Sequence, residues 1–110
     1  MRLPKGELAV VDDRKVIDYL LSSTHPIGRH KAQVFKSALG LTAEGAAFFK
    51  DELRRAAIEG EAEITGEDAY GLRFRIDFQL TLNSKTAVIR SAWLSPGPDQ
   101  PPIFLTAFVV

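Results

Sequence analysis

The sequence predicts an α+β protein, with three helices packed on one face of a four-stranded antiparallel sheet. Three observations carry that prediction. Apolar residues recur at helical spacing between residues 13 and 59. The spacing then switches: Tyr70, Leu72, Phe74, Ile76, Phe78, Leu80 and Leu82 alternate with polar or small residues, the period of a half-buried strand. Asn83-Ser84 follows at once as a tight-turn pair, so the next strand returns antiparallel. Helices grouped ahead of hairpin-linked strands place the helices on one side of the sheet.

Each element has a local reason. Residues 1–11 form an irregular lead, because Pro4 and Gly6 oppose regular structure. A first helix is predicted over residues 13–22. Asp12 or Asp13 caps it, and Val16, Ile17, Leu20 and Leu21 form its apolar stripe. Ser22-Ser23-Thr24 and Pro26 end it, since the residue before proline avoids helical geometry. A second helix is predicted over residues 29–39, with Ala32, Phe35 and Leu39 on one face and Gly40 as its stop. A third is predicted over residues 43–59, capped by Thr42 and lined by Phe49, Leu53, Ala56 and Ala57. The strands are predicted over residues 61–65, with Ala62 and Ile64 inward, then 70–82, 86–94 and 103–110. The last is apolar on both faces and is expected to be covered on both. Arg73, Arg75, Asp77 and Gln79 should line the sheet face away from the helices.

Length and composition bound the function. A chain of 110 residues, 45% hydrophobic, favours one domain: a lead at 1–11, a helical part at 12–59 and a sheet part at 60–110. There is no signal pattern and no apolar run of membrane-spanning length, so a cytoplasmic protein with no membrane partner is expected. Cysteine is absent, which excludes disulfides and thiolate chemistry. Net charge is zero, which argues against a generally basic nucleic-acid binder. The charge is unevenly spread, however. Residues 1–41 carry seven Lys/Arg against four Asp/Glu, and residues 42–68 carry three against eight. A basic face beside an acidic helix is therefore expected.

The densest chemistry lies at residues 25–32, where His25, Arg29, His30 and Lys31 surround Pro26 and Gly28. Imidazole is the side chain suited to acid–base work near neutral pH, which makes His25 a candidate catalytic group. The competing reading is a turn histidine that bonds the end of a helix. Arg29, His30 and Lys31 open the second helix, where cations oppose the helix dipole. Placing three there suits an anion such as phosphate, with Lys31 neutralising a pentacoordinate phosphorus; otherwise the long side chains extend into water. Arg73, Arg75 and Arg90 could bind an RNA backbone if they share one sheet face, although solvated charges facing Asp77 fit as well. Trp93 could stack a base or sit in the core, and Thr106 could donate to phosphate or serve only as a strand residue. Two histidines with four residues between them and no neighbouring carboxylate or thiol predict no metal site, and no cofactor motif is present.

Several of these residues carry a resemblance. Tyr19-Leu20-Leu21-Ser22 is followed by His25-Pro26-x-Gly28-Arg29-x-Lys31-Ala32-x-x-Phe35 and Leu39-Gly40-Leu41. Gly71 precedes the long strand, Trp93 ends the next, and Pro102 and Thr106 close the chain. This pattern resembles a family of small uncharacterised bacterial domains with a YLLS…HPxGxxKAxxF…LG signature. More remotely, helices followed by a four-stranded sheet look like the barnase–EndoU–colicin–RelE-like ribonuclease fold of bacterial toxins. That resemblance implies a metal-independent endoribonuclease with no cofactor. His25, Lys31 and Thr106 would be catalytic, and Arg29, His30, Arg73, Arg75, Arg90 and Trp93 would hold RNA. It also implies a cognate immunity or antitoxin-like partner. The chain departs from that fold family at Ile103 and Phe108, where a basic residue and a tyrosine are expected. The departure favours the alternative, a non-catalytic protein-interaction module with an exposed apolar patch near Trp93 or the last strand.

Overall fold

The computed structural model, which describes residues 1–110, contains three helices and a four-stranded antiparallel sheet. The Asp12 carboxylate accepts the amide hydrogen of Arg14 (2.9 Å) and starts the first turn, Asp13–Lys15 (α1). That turn widens at once into a π turn, Val16–Leu20, in which the Leu21 amide donates to the Val16 carbonyl (2.9 Å). The wider turn brings Val16, Leu20 and Leu21 into the core and rotates Ile17 outward, 44% exposed. The expected four-residue stripe is therefore one residue narrower, because a π turn does not keep the 3.6-residue period.

The helix over Gly28–Leu39 (α2) stops at Gly40, whose φ of 70° admits no strain-free side chain. A 3-10 turn, Ala43–Gly45, leads into Ala46–Glu59 (α3). Thr42 gives that turn its carbonyl, which accepts from the Gly45 amide, rather than the side-chain cap expected of it. The two helices meet through Phe35 and Phe49, whose rings pack edge to face at 5.1 Å.

The strands Ala62–Asp68 (β1), Gly71–Leu82 (β2), Lys85–Ser95 (β3) and Ile103–Val109 (β4) pair in chain order as a meander. Asn83 and Ser84 both adopt positive φ (55° and 63°), the turn whose twist matches a hairpin. Asn83 also donates its side-chain amide to the Leu39 carbonyl (3.1 Å), docking the hairpin tip on the open end of α2. Inward residues Phe74, Ile76, Leu80, Ile89, Trp93, Phe104 and Ala107 meet the helices in one core.

Two strand expectations are corrected. Ile64 pairs with the buried Phe74 but is 54% exposed, because β1 is an edge strand and α3 packs on β2 rather than over it. β4 is covered on one face only: Phe108 lies outward, opposite Arg90, because no second layer backs the sheet. The lead is more ordered than its sequence suggests. Val10 forms a parallel bridge to Ile103, donating to the Pro102 carbonyl and accepting from the Phe104 amide, both at 2.9 Å, and so closes part of the β4 edge.

The outer face is built of cross-strand ion pairs. Asp77 lies directly opposite Arg90, which grips it through two hydrogen bonds of 2.9 Å. The Arg90 guanidinium holds the Asp77 carboxyl below its ordinary value of 3.8. Asp68 is lowered chiefly by the Tyr70 amide that it accepts, and secondarily by Arg73. A carboxyl lowered by folding binds protons more readily in the unfolded chain. Its contribution is therefore complete above the ordinary value and is lost as pH falls below it. We expect the thermal midpoint to fall on acidification below about pH 4, and to fall less steeply in Asp77→Asn. An unchanged slope in that variant would show that the pair carries no linkage. Both groups are well exposed, so the effect is small.

Candidate functional site

The corner between α1 and α2 is ordered by its own side chains. Ser22 Oγ accepts from the amides of Thr24 (3.3 Å) and His25 (3.1 Å). His25 Nδ1 accepts from the amides of Ile27 (3.1 Å) and Gly28 (2.9 Å), so the imidazole caps the start of α2. A ring whose Nδ1 is an acceptor carries its hydrogen on Nε2. Held this way, Nδ1 is occupied by two amides. His25 can donate from Nε2 and position the corner.

Gly28 then allows a close approach. A Cβ there would lie 2.0 Å from the Tyr19 carbonyl oxygen, so only glycine lets α2 begin against the π turn. That contact brings Tyr19 beside His25 and Lys31, two of the four basic residues of the corner. Its ring meets the His25 ring edge to face at 5.0 Å. Its hydroxyl accepts from Lys31 Nζ at 3.1 Å. One turn into α2, Lys31 also donates to Thr106 Oγ1 at 2.9 Å.

Thr106 reaches Lys31 because β4 bulges. Ala92 pairs with Thr106 and Trp93 with Phe104, which leaves Leu105 as the extra residue. A bulge on an edge strand redirects the side chains beside it. Lys15 holds the same stretch, donating from Nζ to the Phe104 carbonyl (2.7 Å). Lys31 is thus shared by helix and sheet and forms no ion pair.

The chemistry of this cluster follows from its hydrogens. An ammonium has three donors, and two are engaged. The Tyr19 and Thr106 oxygens accept from Lys31, which leaves their own hydrogens available. The third ammonium hydrogen and the two hydroxyl hydrogens therefore surround a unit positive charge with no carboxylate paired to it, while His25 flanks the tyrosine as a further donor. Such an arrangement suits an oxyanion, above all a phosphoryl group.

The other predicted site residues lie elsewhere. Arg29 projects from the opposite side of α2 to Lys31, and it lines a groove there together with His30. Arg73 is bound to Asp68, Arg75 to Glu63 and Arg90 to Asp77, all on the outer sheet face. The sheet arginines are each committed to a carboxylate and form no free basic track. Trp93 is fully buried, packed edge to face on Phe104 at 5.3 Å and donating from Nε1 to Ser91 Oγ at 2.9 Å. Its ring offers no face to a base. Around Trp93 the expected apolar patch is absent, whereas Phe108 on the last strand and Val110 just beyond it are exposed.

Tyr19 is the member of this cluster that the sequence did not single out as a candidate. Its signal was a lone hydroxyl-bearing aromatic within an apolar stripe, just ahead of the Pro-Gly corner. No group of three or more His, Asp or Glu side chains is placed to hold a metal ion, and no helix is long and apolar enough to cross a membrane.

Residues 2–110 match the family model of a domain of unknown function, DUF6883. The chain belongs to the DUF6883 family. No curated protein matches this DUF6883 chain. Among solved structures, it is similar to a chain of a contact-dependent growth inhibition toxin–immunity protein complex from Klebsiella pneumoniae 342. The two are 19% identical with a TM-score of 0.70, over 92% of this chain and 99% of that one. At that identity the likeness speaks for the DUF6883 fold.

Proposed function

We propose that this DUF6883 chain is the toxin member of a toxin–immunity pair, and that it cleaves RNA without a metal at the Tyr19–Lys31–Thr106 cluster. One observation carries the reading: the unpaired Lys31 ammonium, held between two hydroxyls that still have hydrogens to donate. A phosphodiester placed there meets Lys31, Tyr19 and Thr106 through its non-bridging oxygens. The RNA 2′-oxygen attacks the adjacent phosphorus, the phosphorus–5′-oxygen bond breaks, and a 2′,3′-cyclic phosphate remains. The charge that grows on the phosphoryl oxygens is met by donors already in place. The 2′-hydroxyl proton passes to water, because His25 Nδ1 is occupied by two amides. The 5′-oxygen takes a proton from the Lys31 ammonium, which recovers it from solvent. His25 acts here as a positioning residue. The toxin–immunity assembly of the similar solved structure supports the pairing with a protein partner.

The test is direct. Purified protein incubated with bulk transfer RNA in EDTA is expected to yield fragments ending in cyclic phosphate. Intact RNA, or cleavage that needs added metal, would overturn the enzymatic reading. The second reading, a non-catalytic interaction module, would then stand. It is favoured by the three sheet arginines being consumed in ion pairs and by the exposed Phe108 on the last strand and Val110 just beyond it.

A further inference from the structure

A second concavity lies away from Lys31. It is a half-open groove of about 820 Å³ between the π turn with its following loop, the far side of α2, and the turn before α3. Its floor is apolar, formed by Leu21, Ala32 and Leu41, with the exposed Ile17 at its lip. Its wall on α2 carries Arg29 and His30 and, nearly two turns further along, Lys36. Neither Arg29 nor Lys36 has an ion-pair partner, in a chain whose sheet arginines are all paired. Unmatched cations along an apolar trough call for a ligand with carboxylates on one side and aliphatic side chains on the other.

We infer that this groove is the docking site for an acidic, aliphatic segment of a partner protein, bound on the opposite side of α2 from Lys31. An aliphatic side chain of that segment covers the exposed Ile17, and its carboxylates meet Arg29 and Lys36. A nucleic acid fits less well. No phenylalanine, tyrosine or tryptophan lines the groove to stack a base. The inference rests on the reading that this protein has a protein partner and is independent of whether it cleaves RNA.

The experiment uses the full chain, isotopically labelled, and three probes. One is a short synthetic peptide with leucines at helical spacing among glutamates, the second is the same peptide with lysines for glutamates, and the third is a short single-stranded RNA. The glutamate peptide is expected to shift the amide signals of residues 17–24, 29–36 and 41–44, with affinity that weakens as salt is raised. Reversing both charges (Arg29→Glu with Lys36→Glu) should weaken it by about tenfold. Both side chains are exposed, so the variant keeps its fold and its cleavage of RNA. The inference is overturned if the glutamate peptide leaves these signals unmoved, if the lysine peptide or the RNA binds there equally well, or if charge reversal changes nothing. Loss of RNA cleavage in the parent protein would bear on the Lys31 cluster alone, because binding in the groove is read independently of catalysis.

Discussion

Replacing Lys31 with alanine is expected to lower RNA cleavage by about 10²- to 10³-fold, the usual cost of removing one donor aimed at a developing oxyanion. The side chain supplies both the only formal charge of the cluster and the link between the two hydroxyls. A purely structural Lys31 predicts something different. It would pin β4 to α2, and its loss would lower stability without a specific effect on chemistry. Two measurements separate the cases. The thermal midpoint of Lys31→Ala should change little, because Lys31, Tyr19 and Thr106 are only half-buried and water can replace the lost bonds. The cleavage rate should fall nearly to background.

Lys31→Arg sharpens the test. A guanidinium keeps the charge but presents a flat fork that cannot point at both hydroxyls as an ammonium does. It should recover part of the rate, and less than the charge alone would restore. Removing the hydroxyls with Tyr19→Phe and Thr106→Val completes the set. If the three side chains work as a unit, the triple variant that adds both changes to Lys31→Ala loses no more than Lys31→Ala alone. Full additivity would mean that the hydroxyls act apart from the ammonium, and a wild-type rate in Lys31→Ala would remove the site from the reaction altogether.

Much of the fold was legible because it rests on local rules. The period change near residue 70, the Asn83-Ser84 turn and the Gly40 stop each encode geometry in a few residues, and the structure uses all three. What was not legible depends on where a segment ends up. Nothing in the composition of β4 marks Leu105 as an extra residue, yet that bulge places Thr106 near Lys31. Ile64 and Phe108 read as inward or covered because apolar residues in strands usually are, but an edge strand and an unbacked sheet leave them open. The basic run shows both outcomes. His25 and Lys31 do meet around Tyr19. Arg29 and Lys31 part company, since two residues along a helix are about 200° apart. That separation follows from the two-residue spacing itself.

Trp93 gives the largest expected effect on stability. Trp93→Ala removes the largest fully buried side chain of the core, its packing on Phe104 and its hydrogen bond to Ser91. Such truncations cost about 3–5 kcal/mol through lost burial and the cavity left behind. For a chain of this size that lowers the thermal midpoint by at least about 12 °C, and it removes a large share of a total stability of about 5–15 kcal/mol. Trp93→Phe keeps an aromatic face for Phe104 and loses the indole hydrogen bond, so it should fall between the two. The parent protein provides its own probe, since Trp93 is the only tryptophan. Its emission should be blue-shifted when folded and move red in one step with unfolding. A surface tryptophan that stacks RNA predicts the reverse pattern: red emission in the native state, quenching by added RNA and a nearly unchanged midpoint in Trp93→Ala. The Ser91 oxygen decides why the core tolerates an indole here at all. It accepts from Trp93 and donates to the Ile76 carbonyl at 2.8 Å, so the one polar atom of the largest side chain is satisfied inside the sheet rather than at its surface.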